Sequence, residues 1–293
     1  MSVVTLRSER SRAETIAAPP VFERCDGAAE VRFSRRNGVT ALSHLFQHAP
    51  CRVLFPNLPA DDLPLAVLLT TSGGLAGGDR LRLAIGAETG AAAGVTTQAA
   101  EKIYRSLGPD ARIEIALSVG AGAWLEWVPQ ETILFDRARL VRRTAVEVET
   151  GGRLLACEMV VFGRTARGER VSTGLLHDRW SVRVDGRLRW LDAIRLDGGV
   201  ADRLDAAASF DGATAIATAI YVGADAAALL PLARALALDS EVRAGATLVN
   251  GMLLARFLGP DARLVRADLA HYIAHLRRAA AGLPETVPRL WQC

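Results

Sequence analysis

The sequence predicts a mainly β protein that carries two α-helices in its C-terminal third. Apolar residues alternate with polar ones in RLRLAI, where Leu81, Leu83 and Ile85 share a face, and in RIEIALSV, where Ile113, Ile115, Leu117 and Val119 do the same. Glycine-bearing turns, GAETGAAAG, VGAGA and TGGR, separate the alternating runs where a parallel βαβ chain would carry helices. Two late segments, 225–240 and 266–282, are rich in alanine and leucine with apolar residues three and four apart, which is helical spacing.

The elements follow in chain order. Residues 1–20 are charged throughout and read as a loose N-terminal tail, with one β-rich domain from 21 to 293. The apolar run LPLAVLLT then meets TSGGLAGGDR, residues 71–80, with its two glycine pairs. That stretch fits neither G-x-x-x-x-G-K-[ST] nor G-x-G-x-x-G, it leads into a strand, and Asp79 would oppose a bound anion. Gly73, Gly74, Gly77 and Gly78 therefore mark a bulge or a place where two backbones come too close for a Cβ. Alternation resumes at Val146 and Val148 and again on both sides of Asp185-Gly186, a strong local signal for a β-hairpin. The stretch 198–215 reads as an internal loop. In the first helix Pro231 belongs in the first turn or kinks the helix, while Asp268 caps the second and Gly282 stops it. No internal repeat of fixed period is visible, so pattern alone does not define a regular solenoid.

Composition narrows the function. Half of the chain is hydrophobic and mean hydropathy is +0.19, yet no run approaches the ~18 apolar residues of a membrane helix. The surplus must be buried in a core or against a partner. The N-terminus lacks the apolar segment of a secretory signal, and Cys25, Cys51, Cys157 and Cys293 form no C-x-x-C pair, so a reducing, cytoplasmic setting is expected, with no disulfide framework or zinc ribbon. A net charge of +3, with charges well mixed and few aromatics, gives no support to nucleic-acid binding, and no membrane partner is implied. Lys102 is the single lysine among 35 basic residues. An ammonium is a flexible point charge where arginine is a planar fork, so this position stands out.

Metal-binding and catalytic candidates are few. His44, His48 and Cys51 follow i, i+4, i+7, a borderline-soft patch for nickel, copper or zinc if the segment is helical, though ALSHLFQHAPCRVLF could equally be extended. His271 and His275 stand four apart on the second helix, where a solvated polar face is the default. No G-x-S-x-G, H-E-x-x-H or catalytic cysteine signature is present. Carboxylates cluster as Glu131 with Asp136 and Glu158 with Glu169. Paired acids across a β-rich groove could hydrolyse a polysaccharide, but ion pairs with Arg137, Arg164 or Arg167 explain them equally well.

A set of ordered blocks runs from about residue 60 to the end: LLTTSGGLAGGDRLRL, TTQAAEKIYRS, WLEWVPQETILFDRARL, MVVFGRTARGE, RWLDAIRLDG, NGMLLARFLG and LPETVPRLWQC. Together they resemble the urease accessory protein UreD family, called UreH in some bacteria. The resemblance implies a right-handed, β-helix-like spiral of strands with two helices. It also implies a protein that is not an enzyme, holds no tight cofactor, and binds the urease apoprotein together with UreF and UreG. The cargo is transient Ni2+, inserted into urease in a GTP-dependent maturation. On that resemblance, the four glycines turn the chain at the edge of the spiral, with Thr71, Ser72 and Asp79 lining a polar passage. Asp79, Glu131, Asp136 and Glu158 are the expected acidic lining for nickel. Gln98, Lys102 and Tyr104 are expected together, with Lys102 fixing its strand beside the glycines through a salt bridge or hydrogen bond. Leu229, Leu230, Leu232 and Leu236 are the expected contact with UreF. The rival function is a β-helical polysaccharide hydrolase, a class usually exported.

Overall fold

The computed structural model describes residues 24–57 and 61–292, so the expected N-terminal tail lies outside the described residues. One sheet runs β14 (Arg187–Gly199), β13 (Thr173–Val184), β11 (Arg139–Val148), β8 (Ala111–Val119), β5 (Arg80–Ala87), β1 (Asp26–Arg36) and β2 (Val39–His48) from edge to edge. The facing sheet runs β16 (Arg243–Val249), β17 (Met252–Gly259), β15 (Ala215–Val222), β12 (Arg153–Phe162), β9 (Trp124–Trp127), β6 (Ala92–Thr97), β4 (Leu65–Thr70) and β3 (Cys51–Leu54). Short strands β7 (Glu101–Ile103) and β10 (Thr132–Leu134) pair with each other, and β10 with β12, to form a third side.

The chain visits the sheets in turn, so each strand pairs in parallel with the strand one turn later: β1 with β5, β5 with β8, β8 with β11, β11 with β13. The result is a β-solenoid of about four turns. Parallel pairing is thus reached by coiling, without helical crossovers. The turns are uneven. Asp26 stands beside Arg80, 54 positions on; Arg80 beside Arg112, 32 on; Arg112 beside Val141, 29 on; and Val141 beside His177, 36 on. A solenoid whose turns differ this much leaves no fixed period in the sequence.

At the corner between the sheets the turns stack. The Glu88, Gly120 and Glu149 N–H groups each donate 2.8 Å to the carbonyls of Phe33, Ala87 and Val119 in the turn beside them. The backbones pack so closely that a Cβ on Gly120 would lie 2.6 Å from the Thr89 nitrogen. Asp185 and Gly186, at φ 51° and 71°, close the expected hairpin between β13 and β14. Asn37-Gly38 and Asn250-Gly251 close two more hairpins with the same left-handed geometry.

The two sheets differ in what covers them. The outer face of the first is solvated, so β8 alternates buried and exposed from end to end. The second sheet is covered outside by the helices α2 (Ala226–Leu238) and α3 (Ala262–Ala281), and every residue of β12 after Arg153 is buried. The interior is therefore two cores, one between the sheets and one between the second sheet and the helices.

The helices correct three expectations. The stretch 198–215 is not all loop, because α1 (Val200–Asp205) buries Val200 and Leu204. Pro231 is the sixth residue of α2, in its second turn, so of the two expected placements the first-turn one does not hold. α3 begins four residues earlier than expected because Asp261, not Asp268, is its cap, accepting from the Arg263 N–H at 2.8 Å. Asp268 lies inside α3 and accepts from the Val242 N–H at 3.1 Å and from the Ser240 hydroxyl. Gly282 does stop α3, at φ 67° with its N–H on the Arg278 carbonyl.

Candidate functional site

The glycine segment joins β4 to β5 along the third side. Leu75 donates its N–H to the Lys102 carbonyl at 2.7 Å and accepts from the Tyr104 N–H at 2.8 Å, which threads 71–80 against β7. A Cβ on Gly74 would lie 2.8 Å from that same Lys102 oxygen, and one on Gly77 would lie 2.2 Å from Ser106 Oγ. Gly73 and Gly78 supply left-handed turns at φ 63° and 97°. Asp79 is buried and ties the segment off, its Oδ2 accepting from the Ala76 N–H (2.7 Å) and its Oδ1 from the Cys25 N–H (2.9 Å). Thr71 donates its hydroxyl to the Pro50 carbonyl at 3.3 Å, and the buried Ser72 hydroxyl has no partner among the described residues.

Lys102 and Tyr104 flank this segment, and Gln98 lines the cavity beside Gly73. Tyr104 donates its hydroxyl to the Gly73 carbonyl at 2.8 Å and sets its ring edge-on to Phe135. Lys102 corrects an expectation: its carbonyl holds the glycine segment, while its side chain is exposed and makes no hydrogen bond or ion pair among the described residues. The backbone pairing leaves the ammonium nothing to fix.

Beside the segment lies a cavity of about 140 Å³, lined by Cys51, Thr70, Thr97, Gln98, Glu101 and Lys102 over a floor of leucines. A second cavity of about 60 Å³ lies deeper between the sheets, against Thr132, Arg142, Thr144, Glu158 and Trp180. Leu81, Leu83, Thr97 and Glu101 line both. Burial pushes the Glu101 carboxyl up to about 7, against the weaker pull of the Thr70 hydroxyl and of Lys102. In the inner cavity Arg142 Nε donates to Asp178 Oδ1 at 3.0 Å, Nη1 to Thr132 Oγ1 at 2.9 Å, and Nη2 pairs with Glu158 Oε2 at 3.0 Å. Burial, and then repulsion from Asp178, raises the Glu158 carboxyl, with Arg142 opposing. Thr144 is 2 % exposed, and its buried hydroxyl has no partner among the described residues. The Trp180 indole lies beside Glu158 without a hydrogen bond of ordinary geometry.

The expected acidic lining is not brought together. Asp79 is spent on its turn, and Glu131 binds Arg266 at 2.7 Å. Asp136 accepts 2.7 Å bonds from the Ser172 N–H and hydroxyl, which outweigh its desolvation and hold its carboxyl below the usual range. Of the four, only Glu158 lines either cavity. Glu101, which the sequence reading passed over although it stands in TTQAAEKIYRS, is the other carboxylate on the cavities. Nor do the acids pair across an open groove, since Glu169 is held by Arg164 at 2.7 Å and Glu158 by Arg142.

The histidines divide. His44 and His48 lie on β2 and Cys51 on β3, so the helical spacing that would gather them does not exist; His44 pairs with Glu30 at 3.0 Å, and burial raises the Cys51 thiol to about 11. His271 and His275 do share a face of α3, with ring centroids 4.0 Å apart and His275 Nε2 3.0 Å from Glu285. Among the described residues no three of His, Cys, Asp and Glu gather closely enough to hold a metal ion. Leu229, Leu230, Leu232 and Leu236 pack against the outer core and are half-buried there; Leu238, at the end of α2, is the exposed one.

The fold and site define a β-solenoid with an apolar interior, in which the few buried charged groups are mostly paired with one another. No helix of the described residues is long and apolar enough to cross a membrane. The model of the family described as UreD urease accessory protein matches residues 25–292, and the chain belongs to that family. It is 44% identical over 270 residues to a urease accessory protein UreD of Magnetococcus marinus, covering 90% of this chain and 93% of that one. It is also 44% identical over 283 residues to one of Rhodopseudomonas palustris strain HaA2, and 43% identical over 282 residues to one of Bradyrhizobium diazoefficiens, each covering 96% of this chain and 99% of the relative.

Proposed function

We propose that this chain is a docking platform in urease maturation: it binds the urease apoprotein with UreF and UreG and assists GTP-dependent insertion of nickel, without catalysing a reaction itself. The observation that supports the reading is identity above 40%, along nearly the whole chain, to proteins named urease accessory protein UreD. The three described cysteines are free thiols, which suits work in a reducing cytoplasm. Nickel is cargo here, with no tight resident cofactor.

Its route, in this reading, runs through the two adjoining cavities, with Glu101 at their junction and Glu158 at the inner end. A site meant to release its ion should offer few ligands at a time, and separated carboxylates, with the Cys51 thiol at the outer cavity, meet that need. The test is urease nickel content and activity in a host carrying the structural and accessory genes, with and without this one. Normal maturation in its absence would end the platform reading. Full nickel loading with Glu101→Gln and Glu158→Gln combined would reject the route while leaving the platform intact.

A further inference from the structure

The first sheet turns a broad face to solvent, and its outward side chains form rows across the strands. One row reads Glu30, Ala84, Ala116, Ala145, Ser181 and Leu191, a shallow trough continued on β2 by Phe46, and a groove of about 560 Å³ lies along it. Along one flank stand six arginines, Arg80, Arg82, Arg112, Arg143, Arg179 and Arg195, against two acids in the same two rows, Asp26 and Glu114. Asp26 is paired with Arg82 at 2.8 Å. Arg80, Arg143 and Arg179 are exposed and have no side-chain partner among the described residues.

We infer that this face is a docking surface for an acidic, amphipathic α-helix of a partner protein. Interior strands have already spent their backbone hydrogen bonds on their neighbours, so the face offers side chains only, and an added strand has nothing to pair with. A floor of methyl groups lets a helix of ~10–12 Å diameter settle close to the sheet. From β5 to β13 the small-residue floor crosses three strand spacings of ~4.8 Å, about two and a half helical turns. Carboxylates on one flank of that helix would meet the unpaired guanidinium groups. A second copy of this chain is disfavoured, because two such faces carry the same excess charge. Nucleic acid is disfavoured too: Glu30, Glu114 and Glu147 are interspersed on the face and would repel a phosphate chain, and Phe46 is the lone aromatic there.

The inference rests on the accessory-protein reading only for its natural partners, so two probes are used. In the first, the full chain is co-expressed with the urease subunits and accessory proteins of its host and recovered by a tag. The variant Arg82→Glu/Arg143→Glu/Arg179→Glu should recover at least one of these proteins tenfold less well than wild type, with melting temperature unchanged. Lysine at the same three positions should retain recovery, and Ala116→Trp, which fills the trough, should lower it. In the second, purified wild type and variants are titrated with a synthetic 20-residue helix bearing alanines on one face and glutamates on its flank. Binding should weaken as salt rises and be lost with the charge-reversed chain.

If no host protein is recovered with wild type but the peptide binds as described, the accessory reading fails and the surface stands. Peptide binding and recovery that both ignore charge reversal overturn the inference. So does a duplex DNA that binds this face more tightly than the peptide.

Discussion

Arg277 and Asp62 stand 215 positions apart in the chain, yet Arg277 Nη2 donates to Asp62 Oδ1 at 2.6 Å while Arg277 Nε reaches Glu126 Oε1 at 3.0 Å. Arg277 Nη1 also donates to the carbonyls of Pro284 and Thr286 at 2.9 Å, so one buried guanidinium fastens α3 to β9 and to the chain beyond α3. Burial raises the Glu126 carboxyl, and Arg277 is the main group opposing it. Arg277→Met should therefore cost about 3–5 kcal/mol in urea unfolding, because it leaves the buried Glu126 and the half-buried Asp62 without their shared counter-charge. Adding Glu126→Gln should recover part of the loss. An Arg277→Met chain as stable as wild type would show that the pair holds nothing.

The glycine segment makes a contrast that a thermal melt can read. Gly77→Ala puts a methyl 2.2 Å from Ser106 Oγ and 2.5 Å from the Pro109 carbonyl, and should destabilise by about 1–3 kcal/mol or more. Gly245→Ala, on edge strand β16, meets nothing within 4 Å and has no left-handed φ, so it should be neutral or stabilise by up to ~1 kcal/mol. Equal effects at both positions would contradict the close approach of the backbones.

Lys102 gives the complementary test. Since its carbonyl carries the pairing, Lys102→Met should change stability by no more than ~0.5 kcal/mol. A larger loss would restore a fixing role to the ammonium.

Glu101 should leave a mark on pH dependence. Its carboxyl is raised to about 7 in the folded chain, so the folded state holds this proton more tightly than the unfolded state does. That stabilisation is complete below the unfolded value of ~4.3 and is lost as pH rises through 7. Urea melts at pH 5 and pH 8 should show a smaller drop for Glu101→Gln than for wild type. An identical drop in both would place the Glu101 carboxyl in water.

Much of the fold was legible because the first sheet has one wet face. Alternation in β5, β8 and β11 reports that exposure directly, and Asp185-Gly186 reports its hairpin. Asn37-Gly38 and Asn250-Gly251 carry the same turn chemistry and were open to the same reading. The second sheet was harder to see, because β12 and β15 are buried on both faces and lose the period of two. The site was less legible still. Asp79, Glu131 and Asp136 are acids in distinctive blocks, but which wall of a coil an acid faces depends on corner positions that uneven turns hide. Glu101 stands next to the more unusual Lys102, and a lone acid in that block carries no pattern that marks it as facing a cavity. Arg142 and Asp178 sit in alternating strands with their charges pointing inward, against the expectation that polar positions face water.

The inequality of the coils also bears on how such chains can change. Each rung is held to the next by main-chain pairing and stacked corners, not by equal spacing of residues. The third side can then lengthen or shorten, as between β7 and β8 or between β12 and β13, without moving any side chain off its wall. Variation in length among relatives should collect on that flank, and a label or tag inserted there would travel with the coil while leaving the packed walls in register.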